Sequence, residues 1–248
     1  VGFLATLGEN LVKVYRQPRV GLISTGDELV QVEERLSPGK IHDSNVYSLA
    51  ALVKKYGGEP LNLGIAADRE EAVRAKLDQA CQAGVDLILS SAGVSVGAFD
   101  FVRQVVEERG LLSFWRVNMR PGKPLAFGNY RNKPFVGLPG NPVSSFVAFE
   151  VFVRPALLKM GGFPSWERPS QVVRLGEAIE SDGRESYLRA IVSRSAGEWS
   201  ARLTGHQGSG NLRSLIQANA LLIVPSGVKS LPAGAELEAW MIDGFSVG

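Results

Sequence analysis

The stretch Asp86–Asp100, DLILSSAGVSVGAFD, constrains the fold of this 248-residue chain more than any other. It contains most of the apolar run Val85–Leu89, which is typical of a strand buried on both faces of a parallel sheet. The run then breaks into small residues that let backbone amides approach a ligand closely, namely Ser90, Ser91, Gly93, Ser95 and Gly97. A helical pattern follows. The loop therefore lies where open α/β sheets bind ligands and where a helix N-terminus favours a phosphate or other oxyanion.

Asp100, at the end of this loop, needs a separate explanation because a carboxylate repels a bare phosphate. A divalent cation that bridges the two removes the conflict, since magnesium prefers oxygen ligands. The alternative is that Asp100 only caps the following helix, as isolated Asp residues often do. The loop by itself leaves both interpretations open.

The first two thirds of the chain alternate strand and helix patterns. Strands are predicted at Arg19–Ile23 and Leu61–Ala66, and Ser44 is a plausible N-cap for the helix between them. This alternation predicts right-handed βαβ crossovers and a three-layer α/β/α domain around a parallel sheet, over residues 19–162. Residues 1–18 lack a core of their own and are predicted to be the tail of a preceding domain, so the chain is interpreted as a fragment.

The composition changes after Gly161. Gly161–Pro169 is rich in Gly and Pro and predicts a linker. From Gln171 onward, short apolar runs are separated by Gly, Ser and Asn, with little helical periodicity. This pattern predicts a small all-β, barrel-like domain over residues 163–248.

Charge and composition exclude several classes of protein. A net charge of +2 gives no nucleic-acid footprint, and no apolar run approaches the roughly 20 residues that span a bilayer. No signal-peptide pattern opens the chain, and its single cysteine, Cys81, cannot form an intrachain disulfide. We therefore expect a cytoplasmic protein with small-molecule substrates and no nucleic-acid or membrane partner.

Acidic residues follow several of the predicted strands. Glu28 comes shortly after the first strand, behind Thr25 and Asp27, and Asp68 follows the second. Loops at one sheet edge converge, and carboxylates that gather there repel one another unless a metal ion intervenes. Glu28, Asp68 and Asp100 are thus candidate catalytic and Mg²⁺-binding residues. The alternative is that the first two are solvated loop acids.

Two further loops carry groups that suit an anion. Arg120 and Lys123 flank a Pro-Gly turn, and Arg contributes a planar fork while Lys contributes a point charge. Both could also be ordinary surface charges. The second loop precedes a long buried helix with a stiff turn in which Pro142 suits the first helical position. Its candidate oxyanion residues are Pro139, Gly140, Asn141, Pro142 and Ser144.

Seven motifs together carry a family resemblance: STGDEL (24–29), GKIHDSN (39–45), LGIAADR (63–69), SSAGVSVGAFD (90–100), RPGKPLAFG (120–128), GLPGNPVS (137–144) and TGHQGSG (204–210). They occur in family order over nearly the whole chain, and they resemble the molybdopterin molybdenumtransferase family, to which the gephyrin C-terminal region belongs. The resemblance implies a molybdopterin-binding α/β domain followed by a small β-barrel. It also implies a reaction that inserts molybdate into adenylylated molybdopterin and releases AMP, assisted by Mg²⁺.

The resemblance also implies roles for individual residues. Asp100 would act at a metal-bridged phosphate, with Glu28 and Asp68 in the same pocket. Arg120 and Lys123 would hold molybdate or the nucleotide phosphate, although the family often has Lys at position 120. Arg189 and Ser209 would reach the anion from the barrel when the two domains close across the linker. The resemblance further implies two additional domains before the position equivalent to Arg19, and a homodimer in the full-length protein.

Two rival functions remain. The adenylyltransferase that precedes this reaction shares the α/β fold and similar loops, and it is also a possible pathway partner. The barrel after Gly161 and the GLPGNPVS stretch favour the molybdenumtransferase over it. The second rival is a non-catalytic binding scaffold, against which the retained acidic residues argue.

Overall fold

The computed structural model describes residues 1–92 and 96–242, and side chains in this part except those of residues 92 and 96–100. The helices are α1 (Gly2–Thr6), α2 (Ser44–Lys55), α3 (Glu70–Gln82), α4 (Val96–Arg109), α5 (Pro142–Ala148), α6 (Arg154–Met160) and α7 (Leu212–Gln217), with a π-helical turn at Phe149–Val153 between α5 and α6.

The strands of the first part are β1 (Arg19–Thr25), β2 (Leu29–Val30), β3 (Ile41–His42), β4 (Glu59–Ala66), β5 (Leu87–Ala92), β6 (Gly110–Arg116), β7 (Met119–Arg120), β8 (Pro124–Tyr130) and β9 (Lys133–Pro139). The later strands are β10 (Ser170–Leu175), β11 (Ile179–Glu180), β12 (Glu185–Ser195), β13 (Glu198–Leu203), β14 (Ala220–Val224), β15 (Ser230–Leu231) and β16 (Glu236–Met241).

The predicted three-layer α/β/α arrangement is confirmed. Within the described residues the central sheet has the order β4-β1-β5-β9-β8-β6. Alternate residues of β1 face opposite layers: Leu22 packs in one apolar cluster with α2 and the α5–α6 helical segment, and Ile23 packs in a second with α3 and α4. A strand covered on both faces is mainly apolar, which is why β1 contains the run Val20–Ile23 and β5 the run Leu87–Leu89.

The prediction of a fully parallel sheet is wrong. Strands β4, β1, β5 and β9 are parallel, but β8 pairs antiparallel with β9, and β6 pairs antiparallel with β8. The cause is a tight turn at Arg131 and Asn132, whose φ angles are +46° and +65°. Two-residue hairpin loops with positive φ join antiparallel strands, and they usually contain glycine. Here neither residue is glycine, so the hairpin lacks its usual sequence signal.

The N-cap of α2 also differs from the prediction. Asp43, not Ser44, occupies the cap position, and its carboxylate accepts a hydrogen bond from the backbone N–H of Val46 at 3.2 Å. Ser44 is the first residue of the helix itself. Asp, Ser and Asn are nearly equal as N-caps, so the run Asp43–Asn45 offers three candidates that local preference does not separate.

The predicted barrel is confirmed. In the described chain, β12 pairs with both β13 and β14, which closes the circuit β12-β13-β10-β16-β14. Its interior is filled by small and branched side chains such as Val173, Ala190 and Leu222. Strand β7, which belongs to the first part of the chain, extends this sheet by pairing in parallel with Glu185 and Ser186 of β12. The two parts of the chain thus share a sheet as well as a linker.

The junction between the two parts has its own apolar cluster. Met119 of β7 and Val143 and Val147 of α5 pack against barrel residues that include Tyr187 and Leu221. Burying apolar side chains from both parts resists their separation, because separation would return this surface to water. Among the described residues, no helix is long and apolar enough to cross a membrane.

Candidate functional site

Four strand ends meet at one edge of the central sheet. Thr25 at the end of β1 is in register with Ala66 of β4 and with Ala92 of β5, and Ala92 is in register with Pro139 of β9. The segments that follow these strands leave from the same edge. This is the place where ligands bind to open α/β sheets.

A cleft of about 130 Å³ lies at this edge. Four of the residues predicted for the site line it, namely Glu28, Gly140, Asn141 and Pro142. The other lining residues are Leu29, Ile41, His42, Asp43, Ser44, Asn45 and Ser91. Most of these belong to the stretch 39–45, which entered the sequence analysis through the family resemblance and for which no binding role was predicted. The available signal was its polar sequence His-Asp-Ser-Asn at the start of a helix.

Buried polar atoms beside the cleft lack partners among the described residues. The Asn45 side chain donates to the carbonyl of Gly140 at 2.7 Å, but its Oδ1 accepts no hydrogen bond and is shielded from water. The Oγ1 of Thr25, a fully buried residue, is likewise unpartnered. Most buried polar groups are hydrogen-bonded, so such orphans indicate a missing partner such as a ligand or water. Thr25 ends β1 and Asn45 lies in the first turn of α2 at the cleft, and these positions fit the ligand interpretation.

Asp68, one of the predicted acids, lies against Asp27, the residue that precedes Glu28. The backbone N–H of Asp68 donates to Oδ1 of Asp27 at 3.0 Å, and that of Asp27 lies 3.4 Å from Oδ2 of Asp68. Glu28 folds back over Gly26, where an added Cβ would lie 2.7 Å from its carboxylate oxygen. Gly26 has a φ of +152°, so the backbone angle favours glycine.

One oxygen of the Asp68 carboxylate lacks a partner that a cation could supply. Burial raises its pKa first of all, and the negative charges of Asp27 and Glu28 raise it further. Its Oδ1 is buried without a hydrogen-bond partner. A divalent cation would supply that partner and offset the repulsion, and oxygen donors are the kind that magnesium takes. Taken alone, the described side chains contain no group of three or more His, Cys, Asp or Glu arranged to hold a metal ion.

The third predicted acid cannot be placed against the other two. Gly93 and Ser95 lie outside the described residues, as does the side chain of Asp100. The backbone does decide one question, because α4 begins at Val96 and includes Gly97 and Asp100. An N-cap flanks the first helical residue, whereas Asp100 is the fifth residue of this helix. The interpretation of Asp100 as a helix cap is therefore wrong.

The Arg120–Lys123 turn packs on the start of α5. A Cβ added to Gly122 would lie 3.7 Å from the carbonyl oxygen of Ser144, whose residue is buried in the first turn of that helix. Lys123 is exposed. The guanidinium of Arg120 lies 3.7 Å from the Asp182 carboxylate of the barrel. The turn that carries the two cations thus lies beside the helix that follows the β9 loop.

The barrel reaches this region without any movement of the domains. The side chain of Asn141 donates to Oγ of Ser209 at 3.0 Å, and the backbone N–H of Val143 donates to the Ser209 carbonyl at 3.1 Å. Ser209 therefore contacts the cleft wall and caps one of the free N–H groups at the start of α5. The expectation that Ser209 approaches only after domain closure is wrong, because the contact is already made.

Arg189 does not present its side chain to the cleft. The residue is fully buried, and its guanidinium donates to Oγ of Ser214 at 3.0 Å. It also donates to three backbone carbonyls of the loop after β13, those of His206, Gln207 and Gly208. Burial lowers its pKa to about 10, with a smaller contribution from Arg120. The predicted direct contact with substrate is thus corrected: Arg189 shapes the loop that carries Ser209.

Two family profiles match the chain. The profile described as "Probable molybdopterin binding domain" matches residues 21–159, and the one described as "MoeA C-terminal region (domain IV)" matches residues 172–242. The first covers more than half of the chain. The chain belongs to the molybdopterin-binding domain family. The resemblance drawn from the seven motifs is confirmed, and the order of the two matches follows the α/β domain and barrel of this family member.

Individual relatives agree with the family assignment. The chain is 42% identical over 91% of its length to a molybdopterin molybdenumtransferase from Nostoc, of which it covers 53%, and 37% identical over 93% of its length to one from Haemophilus influenzae, of which it covers 58%. A crystal structure of a molybdopterin biosynthesis MoeA protein from Pyrococcus horikoshii superposes with a TM-score of 0.84 at 32% identity, over 98% of this chain and 59% of that one. The chain thus spans a little over half the length of these relatives.

Proposed function

We propose that the protein to which this chain belongs is a molybdopterin molybdenumtransferase, which inserts molybdate into adenylylated molybdopterin with release of AMP. The observation that carries the proposal is the strand-end cleft, where carboxylates lie on one side and the Arg120–Lys123 turn lies near the start of α5. A reaction between an oxyanion and a nucleotide needs both kinds of group. Relatives that bear this enzyme name support the assignment.

The residues divide into two sets by chemistry. Arg120 and Lys123 supply positive charge for the oxyanion. The charge of Arg120 also lowers the pKa of Arg189, and an anion bound at Arg120 would offset this repulsion between the two arginines. On the other side, Glu28 and Asp68, joined by Asp100, would hold Mg²⁺. When bound, the ion would neutralise the phosphate of the adenylylated substrate. Thr25, Asn45 and Ser91 would orient the organic part of the substrate by hydrogen bonds.

The same proposal includes several properties of the whole protein. The family resemblance supports Mg²⁺ as cofactor, a homodimer, and a handover of substrate from the adenylyltransferase of the preceding step. It also supports a cytoplasmic location. The adenylyltransferase function is not retained, because the relatives over the barrel region carry the molybdenumtransferase name. A scaffold role is the remaining alternative, and the transfer assay separates it from an enzyme.

We expect Asp68→Asn and Glu28→Gln to slow molybdate transfer by about 10- to 100-fold each, the scale of one hydrogen bond to a charged group. The assay measures AMP release and cofactor formation by the protein from the full reading frame. Glu33→Gln is the matched control, since Glu33 is an exposed acid outside the cleft. A wild-type protein that binds the adenylylated substrate but never releases AMP would contradict the proposed function.

A second prediction concerns the anion site alone and uses the chain described above. Arg120→Ala with Lys123→Ala is expected to weaken tungstate binding by about 10-fold or more, because each cation contributes a charge-assisted contact. Isothermal titration calorimetry measures the affinity, and Arg202→Ala, an exposed cation on β13, is the control. Equal tungstate affinity in the double variant and the control would assign the oxyanion to another part of the protein.

A further inference from the structure

Asp182 is the barrel acid that lies next to the proposed anion site. It belongs to the turn between β11 and β12, and its Oδ2 is 3.7 Å from a guanidinium nitrogen of Arg120. Because β7 pairs in parallel with the start of β12, with Met119 opposite Glu185, this turn lies at the end where β7 begins, and the Arg120 side chain contacts it. The contact is an ion pair without a hydrogen bond, since 3.7 Å exceeds hydrogen-bond distance.

A second arginine holds the carboxylate in place. Arg184 donates to Oδ2 of Asp182 from Nε at 3.1 Å, and its backbone N–H donates to Oδ1 at 3.1 Å. Arg184 also donates to the carbonyl of Met119 at 3.2 Å, which ties the turn to β7. The Asp182 carboxylate is therefore fixed by its own turn, whereas its contact with Arg120 is loose.

The turn that presents Asp182 is itself anchored to the barrel. The backbone N–H of Ser181 donates to the carbonyl of Lys229 at 2.8 Å, and the carbonyl of Gly183 accepts from the N–H of Gly227 at 2.8 Å. With a hydrogen bond on each side, the carboxylate cannot follow Arg120 if that side chain moves. Arg120 is about two-fifths exposed and has room to move.

We propose that Asp182 limits the oxyanion affinity of this site: its carboxylate holds Arg120 when no anion is bound, and a bound oxyanion takes Arg120 away from it. This inference rests on the proposed role of Arg120. Hydrogen bonds from Arg184 lower the pKa of Asp182 to about 2, so the competing charge is present at every working pH. A bound anion must therefore displace the Asp182 carboxylate from Arg120 and approach against its negative charge.

The test is the affinity of the chain for tungstate, with sulfate as a second probe. We expect Asp182→Asn to tighten tungstate binding by about 3- to 10-fold at low ionic strength, and the gain to shrink at about 1 M salt, where exposed charges are screened. Asparagine keeps the Oδ1 acceptor for the Arg184 backbone, so the turn is retained. Asp182→Ser is the second variant in case asparagine disturbs folding, and thermal unfolding checks both.

A control and a double variant decide the mechanism. Glu198→Gln removes one negative charge at the far end of the β12–β13 hairpin and is expected to leave the affinity unchanged. In an Arg120→Ala background, Asp182→Asn should yield less than about a twofold gain, since the contact it relieves is gone. Unchanged or weaker tungstate binding by Asp182→Asn, with Arg120→Ala still weakening it, overturns this inference alone. If Arg120→Ala has no effect, both this inference and the proposed anion site fail.

Discussion

Replacing Glu150 with alanine is expected to destabilise the chain by about 3–5 kcal/mol, because it leaves a buried arginine without its counter-charge. Glu150 lies in the π-helical turn, and its side chain and that of Arg168 are 0% and 5% exposed. Arg168 donates to the Glu150 carboxylate, and the hydroxyl of Tyr56 donates to the same group at 2.9 Å. Solvent therefore screens this contact only weakly.

The Glu150 network joins elements from both parts of the chain. Arg168, in the linker, also donates to the carbonyl of Met241 at the end of β16 at 2.8 Å. Arg154 of α6 donates to the carbonyl of Trp166 at 2.8 Å. The Gly161–Pro169 segment is thus bonded to α6 and to the barrel, which argues against its use as a hinge. We expect the two parts to unfold together in wild type and to separate into two transitions in Glu150→Ala.

Denaturant unfolding and calorimetry of four proteins measure this effect. The set is wild type, Glu150→Leu, Arg168→Met and the double variant Glu150→Leu with Arg168→Met, measured beside Glu150→Ala. Since an apolar pair needs no counter-charge, the double variant should lose less stability than the two single losses added together. Glu107→Ala is the control, because Glu107 forms an exposed i,i+4 pair with Arg103 that is worth about 1 kcal/mol or less. If Glu150→Ala lowered the free energy of unfolding no more than Glu107→Ala, the buried ion pair would contribute no more to stability than an exposed one.

Replacing Arg189 with methionine is expected to cost about 3–4 kcal/mol of stability, since several hydrogen bonds from one charged group are lost together. The loop 204–210 is held by this side chain, and the backbone N–H of Arg189 also donates to the Gln207 side chain at 2.9 Å. Without the guanidinium, the loop carbonyls turn to water and Ser209 loses its fixed position against Asn141. Tungstate affinity should then fall although Arg189 is buried away from the cleft.

Two variants separate positioning from simple loss of folding. Arg189→Lys keeps the charge but cannot reach all four acceptors, so it should recover less than half of the lost stability. Arg174→Met, on the exposed face of β10 in the same barrel, should change stability by less than about 0.5 kcal/mol. Thermal unfolding gives the stability of each variant and calorimetry gives its tungstate affinity. Full affinity in a folded Arg189→Met protein would refute the link between this arginine and the cleft.

The sequence alone was sufficient wherever the signal was local. Mainly apolar runs such as Val85–Leu89 identified buried strands, because most positions of a strand covered on both faces are apolar. Their order in the chain then placed the loops after β1, β4, β5 and β9 at one edge, because parallel strands end on the same side. The change of pattern after Gly161 predicted the barrel, because the hydrophobic periodicities of strands and helices differ.

Tertiary contacts decided what local preference leaves open. The hairpin at Arg131 and Asn132 makes the sheet mixed, and although Asn tolerates positive φ, Arg131 gives no such signal. The burial of Arg189 depends on carbonyls that lie 17 to 19 residues away along the chain. Asn45 donates a hydrogen bond to Gly140, which is 95 residues away in sequence. Strand β7 of the first part of the chain pairs with β12 of the barrel. The residue type determines which hydrogen bonds a side chain can form. Only the packed fold determines which partners come within about 3 Å, because that distance depends on every element between them.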